Sequence, residues 1–375
     1  MKRTILLALV VFLCLSTVSC GSADKKENAS VIKRIGVTLS AGDDSICRDL
    51  GAALENAFND ISNEKTRYEL YVIDAARSAN GQYNHVDLFI SSGYDAIIVD
   101  LIDGSKAYDI AKKAVENGVD VVFTGKDYPG QMPEEIYNEV RTAIDEESGF
   151  ENACREQLSA FRDTSGVYGK ILLGAVYSAG KERTTRLVEP GRISYIGYYA
   201  PSAGTGLIEI LDSLPSGGDM DRNGSIEYAV ICTGKETPFS KSAMLSLTEM
   251  LNEKGVVSSK VKTVASNEKD SAVDSIVKLL TSEDPPDILF AMSDAAFSYA
   301  DEALTSLGMK VGKDIFMISV SSGAEDLTEK IPDSLSGAMV CNTTLLAEKT
   351  AQAVIGYEDG TGSDVIEYLD FGLVY

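Results

Sequence analysis

The stretch Asp219-Met220-Asp221-Arg222-Asn223-Gly224-Ser225-Ile226-Glu227 sets side-chain oxygens at its first, third, fifth and ninth places. Oxygen donors on alternate residues, turned inward around a hard cation, are the ligand order of a calcium loop. Gly224 permits the sharp bend, and Ser225 offers a backbone carbonyl at the seventh place. A complete EF-hand loop also needs a bidentate glutamate at its twelfth place, where this chain has Val230. The last carboxylate must therefore be borrowed from elsewhere in the fold.

The N-terminus places Lys2 and Arg3 before an apolar run from Ile5 to Leu15, followed by Ser16-Thr17-Val18-Ser19-Cys20. A basic start, an apolar run too short to span a bilayer and small residues at its end describe an export signal over 1–19. A cysteine directly after Ser19 is the arrangement of a bacterial lipidation site, and the polar 20–32 reads as a lipidated Cys20 with a flexible tether. The expectation is an exported lipoprotein on the outer face of the cytoplasmic membrane, held there by lipid alone.

The formal charge of -23 repels nucleic-acid phosphates and anionic lipid. Cys47, Cys154, Cys232 and Cys341 are far apart, without a Cys-x-x-Cys pair, so a structural zinc site is not expected. Catalysis is not expected either. His85 is the single histidine, which excludes a Ser-His-Asp or Cys-His arrangement elsewhere, and no phosphate-binding glycine motif occurs.

From Lys33 short Val- and Ile-rich runs alternate with amphipathic ones. Strands are predicted at 34–39, 68–73, 96–102 and 119–124, and again near 193–199, 226–232, 257–265, 287–292, 315–320 and 336–341. Helical patterns lie between them, with Gly93 and Gly118 closing two. Such alternation means parallel sheets covered on both faces. The rhythm breaks between 130 and 192, too long for an ordinary connection. The outline is two βα halves around a cleft.

These residues resemble the type I periplasmic binding proteins, in particular the galactose/glucose-binding branch. Arg34-Ile35-Gly36-Val37-Thr38 followed by Asp43-Asp44 is similar to that branch's first strand and sugar-contacting loop. Val99-Asp100-Leu101-Ile102-Asp103-Gly104 is similar to its third strand, and 121–129, containing Lys126-Asp127, to its fourth. The calcium loop before a strand of the second lobe is the most specific likeness. The resemblance implies a two-lobed α/β fold, each lobe a parallel sheet flanked by helices, with about three hinge crossings. It assigns 33–125 plus 342–371 to the first lobe and 193–341 plus 372–375 to the second, whereas 126–192, read as an elaborated inter-lobe region, departs from the family. It also implies a structural Ca2+ held by Asp219, Asp221, Asn223 and Glu227, the carbonyl of Ser225, and Asp287 as the bidentate closer.

For the cleft, the resemblance implies ligand contacts from Asp44, Asp100 and Lys126 in the first lobe. Later in the chain it implies Thr237, Phe239, Ser293 or Asp294, Ser321, and Cys341 or Asn342. The pocket departs from the family: Ile46 stands for one stacking aromatic, the chain has no tryptophan, and Thr237 to Ala243 replaces a His, Asp and Arg trio. Phe239 is the expected substitute for one stacking face. The function implied is a monomeric solute-binding lipoprotein that closes on a small polar, sugar-like ligand and presents it to an ABC-type permease. The alternative is a sensor presenting a non-hexose ligand to a membrane receptor or kinase. No nucleic-acid partner is expected.

Overall fold

The computed structural model describes residues 30–42, 44–126, 192–235, 237–321, 333–359 and 366–375. The signal 1–19, Cys20 with most of its tether, Asp43, and all but the ends of the 126–192 region lie outside them.

The first half runs β1 (Val31–Leu39), α1 (Ser45–Ile61), β2 (Thr66–Asp74), α2 (Ala79–Ser91), β3 (Ala96–Asp100), α3 (Ala107–Glu116), β4 (Asp120–Lys126) and β5 (Ile193–Tyr198). The second runs α4 (Ser202–Ser213), β6 (Ser225–Thr233), α5 (Pro238–Glu253), β7 (Val257–Ser266), α6 (Lys269–Leu280) and β8 (Ile288–Ala291). It continues through α7 (Asp294–Leu307), β9 (Phe316–Ser321) and β10 (Gly337–Val340), then α8 (Thr343–Asp359), β11 (Ile366–Leu369) and β12 (Gly372–Val374). Two six-stranded sheets result, ordered β11-β5-β4-β3-β1-β2 and β12-β10-β9-β8-β6-β7. Every pairing is parallel except β12 on β10.

The central strands explain the sequence pattern. β3, β5 and β8 are buried at every residue, whereas the edge strand β7 is largely exposed. A strand covered on both faces reads as a continuous apolar run and an edge strand does not. In the first lobe α1 and α8 cover one face of the sheet, and Val86, Phe89, Ile110 and Val115 of α2 and α3 cover the other. In the second, α4 and α5 share one face while α6 and α7 pack over Ala229, Ile231, Leu289 and Met317. Gly93 and Gly118, at φ 69° and 71°, end α2 and α3 in the left-handed conformation that glycine takes without steric cost.

The second lobe starts later than the expected 193. β5 pairs with β4 from Val121↔Ile193 to Lys126↔Tyr198, so it completes the first sheet. Strand character at 193–198 is legible in the apolar run, but its partner is set by non-local pairing. Lys126 and Ile193, the strand residues on either side of that region, therefore lie on neighbouring strands of the first sheet.

The chain crosses between lobes at 199–201, 341–342 and 370–371. Aromatic rings gather there. Tyr198 stacks on Phe371 at 4.7 Å, Phe371 meets Phe239 at 6.0 Å, and the Tyr198 hydroxyl donates to the carbonyl of Asn342 at 3.2 Å. One apolar cluster runs from β1 and α1 through these rings to α5 and β8.

Candidate functional site

A cavity of about 530 Å³ opens between the sheets, where the carboxyl ends of both sets of strands converge. Open parallel sheets bind ligands at this edge, because the loops leaving the strands diverge there. Ser40, Asp44, Cys47, Arg77, Asp100 and Lys126 line it from the first lobe. Thr233, Asn267, Met292 and Ser293 face them from the second.

Asp100 ends β3 and is buried. Its Oδ2 accepts from the Ser40 amide at 2.9 Å, the Ser40 hydroxyl at 2.5 Å and the Cys47 thiol at 3.2 Å. Its Oδ1 accepts nothing among the described residues and stands against Gly125, where an added Cβ would lie 2.4 Å away. One oxygen is thus anchored by the scaffold and the other is left for the cleft. Burial pushes the Asp100 carboxyl above its ordinary range, against the Ser40 and Cys47 hydrogen bonds. Burial, then the charges of Asp100 and Asp44, push the Cys47 thiol well above its usual value, so the sulfur stays protonated and donates.

Asp44 caps α1, accepting from the Ile46 and Cys47 amides at 2.9 and 3.4 Å, the use of aspartate at a helix start that local chemistry favours. Lys126 ends β4 with its Nζ 4.9 Å from the centre of the Phe239 ring. Burial works against its charge, but Asp44, Cys341, Cys47 and Asp100 together raise its pKa. Its ammonium makes no hydrogen bond or ion pair among the described residues.

The second lobe contributes less than expected. Ser293 caps α7, accepting from the Ala296 amide at 3.2 Å, and its hydroxyl is 2.8 Å from that of Thr233. Asp294 lies beside it at the cleft mouth, with Arg48 and Arg77 opposite. Thr237 lines the cavity while capping α5. Phe239 does not line it: the ring is 1 % exposed and packs into the hinge. Helix periodicity turns it inward from Pro238, so it offers no stacking face. Asn342 is also at the hinge, its Oδ1 accepting from the Leu345 amide at 2.9 Å to start α8. Cys341 is buried beneath it, its thiol pushed up to about 12 by burial despite Lys126. Ser321 ends β9, and its side chain lies outside the described residues. Sequence reading missed Ser40, Cys47, Arg77, Thr233, Asn267 and Met292. Ser40 and Thr233, one place beyond the predicted strands 34–39 and 226–232, and Met292, the last residue of 287–292, carry a signal that could have found them.

The nine-residue stretch 219–227 runs into the first residues of β6, at the end of that strand away from the cleft. Asp219, Asp221 and Asp287 bring carboxylate oxygens within 4.8 Å of one another. Asp287 is held from both sides: Oδ1 accepts from the Met220 and Asp221 amides at 3.0 and 3.3 Å, and Oδ2 from the Glu227 amide at 2.9 Å. Burial raises its pKa to about 6 against those amides. Gly224, at φ 90°, donates its amide to Asp219 Oδ2 at 2.9 Å. Asn223 Nδ2 reaches Asp221 and Glu227 at 3.1 and 3.3 Å, and the Ser225 hydroxyl donates to Glu227, lowering that carboxyl's pKa. The loop thus gathers three of the six expected ligands, and Asn223, Ser225 and Glu227 hold it together. Three carboxylates this close repel one another unless a hard cation or a proton lies among them, so the donor set fits calcium.

Two doubly wound lobes joined by three crossings, with a cleft at the strand ends, are the architecture of the type I periplasmic binding proteins. Residues 35–142 match the family model described as a periplasmic binding protein domain. A curated relative, the D-galactose/methyl-galactoside binding periplasmic protein MglB of Haemophilus influenzae, is 30 % identical over 130 residues, 35 % of this chain. The chain spans 36 % of that relative's length. Among solved structures, the arabinose ABC transporter binding component of Shewanella sp. ANA-3 aligns with a TM-score of 0.63 at 13 % identity, covering 91 % of each chain. The fructose-binding periplasmic domain of a hybrid two-component system aligns at 0.61 and 12 % identity, covering 91 % of this chain and 90 % of its own. At these identities the likeness is one of fold.

Proposed function

We propose that this chain is an exported solute-binding protein that closes its two lobes on a small, polyhydroxylated, sugar-like molecule and presents it to an ABC-type importer. The observation that carries this reading is the cavity between the sheets, lined from both lobes, with the free Asp100 oxygen and the Lys126 ammonium on its floor. An acceptor beside a donor suits hydroxyl groups, each of which both gives and takes a hydrogen bond. Closure about the crossings would bury the ligand and give the importer a shape to recognise. No histidine lines the cavity; His85 pairs with Thr38 instead.

Two further parts belong to the proposal. Cys20 carries lipid and tethers the monomeric protein to the outer face of the membrane. The loop at 219–227 with Asp287 holds Ca2+ as a structural staple, since its carboxylates are turned away from the cleft. A sensor reading has one support, the fold match with a sugar-binding domain of a two-component system. Calorimetric titration with L-arabinose, D-galactose, D-fructose and myo-inositol, with calcium and with chelator, tests the proposal. Saturable binding of at least one is expected, and no heat from any would overturn the sugar-like reading.

A further inference from the structure

We infer that the groove between α1 and α8, on the outer face of the first lobe, is a docking site for a basic amphipathic helix of a partner protein.

The two helices pack side by side over one face of the first sheet, and a groove of about 520 Å³ runs along their outer seam. Its floor is Ala53, Ala57 and Ala351, with Ile61 at its foot. Alanine side chains stop at Cβ, so neither helix fills the wedge between them, and the close packing usual inside a protein is left to an occupant. The walls are two exposed rows, Ala52, Asn56 and Asp60 on α1 and Thr344, Glu348 and Gln352 on α8. Residues four apart stack along one side of a helix, so each row forms a rail. An apolar trough between polar rails accepts a third helix, whose apolar face enters the groove while its flanks meet the rails.

Charge selects the occupant. Asp49, Asp60 and Glu348 line the groove, and no lysine or arginine does. The neighbouring cations are engaged: Arg48 lies 3.7 Å from Asp49, and Lys349 pairs with Glu367 at 2.9 Å. Asp60 and Glu348 make no ion pair among the described residues. One carboxylate on each rail therefore matches lysine or arginine on both flanks of the incoming helix. A second copy of this chain would bring a formal charge of -23 to the same place. The N-terminal tether supplies no net positive charge, since Asp24 and Glu27 balance Lys25 and Lys26. Anionic lipid and nucleic acid are repelled. The groove belongs to the first lobe alone, so docking does not wait for the cleft to close, and the inference stands apart from the sugar reading.

The probe is a fluorescent synthetic helix with leucine along one face and lysine on both flanks, titrated into the mature chain by anisotropy at physiological salt. A glutamate-flanked helix and a scrambled peptide of the same composition serve as controls. The lysine helix should bind saturably and both controls at least tenfold more weakly. Asp60→Lys with Glu348→Lys should lower affinity at least tenfold. Ala52→Trp, which fills the groove from an exposed position without altering charge, should lower it at least fivefold with an unchanged melting temperature. The same charge change on the other lobe, Glu249→Lys with Glu253→Lys, should stay within threefold. Where the groove charge reversals lower the melting temperature, Ala52→Trp alone decides. No binding, equal binding of the scrambled peptide, or an equal loss from the second-lobe reversals overturns the inference, the last two by reducing it to general charge attraction. So does a sedimenting dimer that Ala52→Trp splits, which makes the occupant a second copy. Tenfold tighter peptide binding by a chain lacking 21–29 assigns the groove to the tether and overturns it as well.

Discussion

Replacing Asp287 with alanine separates what that carboxylate does for the fold from what it does for calcium. Without metal, the variant leaves three backbone amides, of Met220, Asp221 and Glu227, without their acceptor. A hydrogen bond contributes about 1 kcal/mol net, more when the acceptor is charged. Those to Met220 and Asp221 lie on a loop that water can reach and count for less than the one at the start of β6. The sum is about 2 kcal/mol. Calcium adds a second term that depends on concentration: at about one hundred times its dissociation constant a ligand specific for the folded state stabilises by about 2.7 kcal/mol. Urea unfolding of the second lobe in chelator should therefore show a loss of about 2 kcal/mol for Asp287→Ala. In excess calcium the gap should widen to between 4 and 5 kcal/mol, both figures being order-of-magnitude sums of those terms. Equal stability of the two proteins in chelator would refute the hydrogen-bond argument. A gap that does not widen with calcium would refute the metal.

Gly125→Ala should destabilise by about 2 kcal/mol and impair ligand binding, since φ is 98° there and the new methyl would displace Asp100 Oδ1; thermal melting and calorimetry read the two effects. Asp100→Ala should lower ligand affinity at least tenfold, because it removes the open acceptor, and unchanged affinity would place the ligand elsewhere. Phe371→Ala removes the ring between Tyr198 and Phe239 and should cost about 2–3 kcal/mol while broadening the range of lobe angles seen by small-angle scattering. In the native protein Cys341, buried and with its thiol pushed up to about 12, should react with Ellman's reagent far more slowly than an unfolded cysteine.

The sequence carries the fold because its strong signals are local. Buried strands such as Ile193–Tyr198 and Ile288–Ala291 are apolar runs, and glycines close the helices between them. Partnership is not local, which is why β5 reads as a strand without revealing its sheet. The loop at 219–227 displays its oxygens in order, yet only folding sets Asp287 against Met220 and Glu227. The cleft is harder still. Phe239 and Asn342 are chemically suited to a ligand, but the hinge takes the first as packing and the second as a helix cap. Arg77 escapes notice for the opposite reason: Ala76-Arg77 carries no turn signal, and its left-handed backbone is imposed by hydrogen bonds to Leu39, Ser40 and Asp74.

The strand order also sets a timetable for synthesis. Everything the second sheet needs except its edge strand β12 lies in one contiguous stretch, from Ser202 to Val340. The first sheet begins with Val31 but obtains its edge strand β11 and its covering helix α8 only after that stretch has been made. During elongation the lobe that starts first therefore stays incomplete until nearly all of the second has been made. Its apolar face under α8 stays uncovered until the final residues emerge, and a chain cut before Thr343 would leave that face exposed to aggregation.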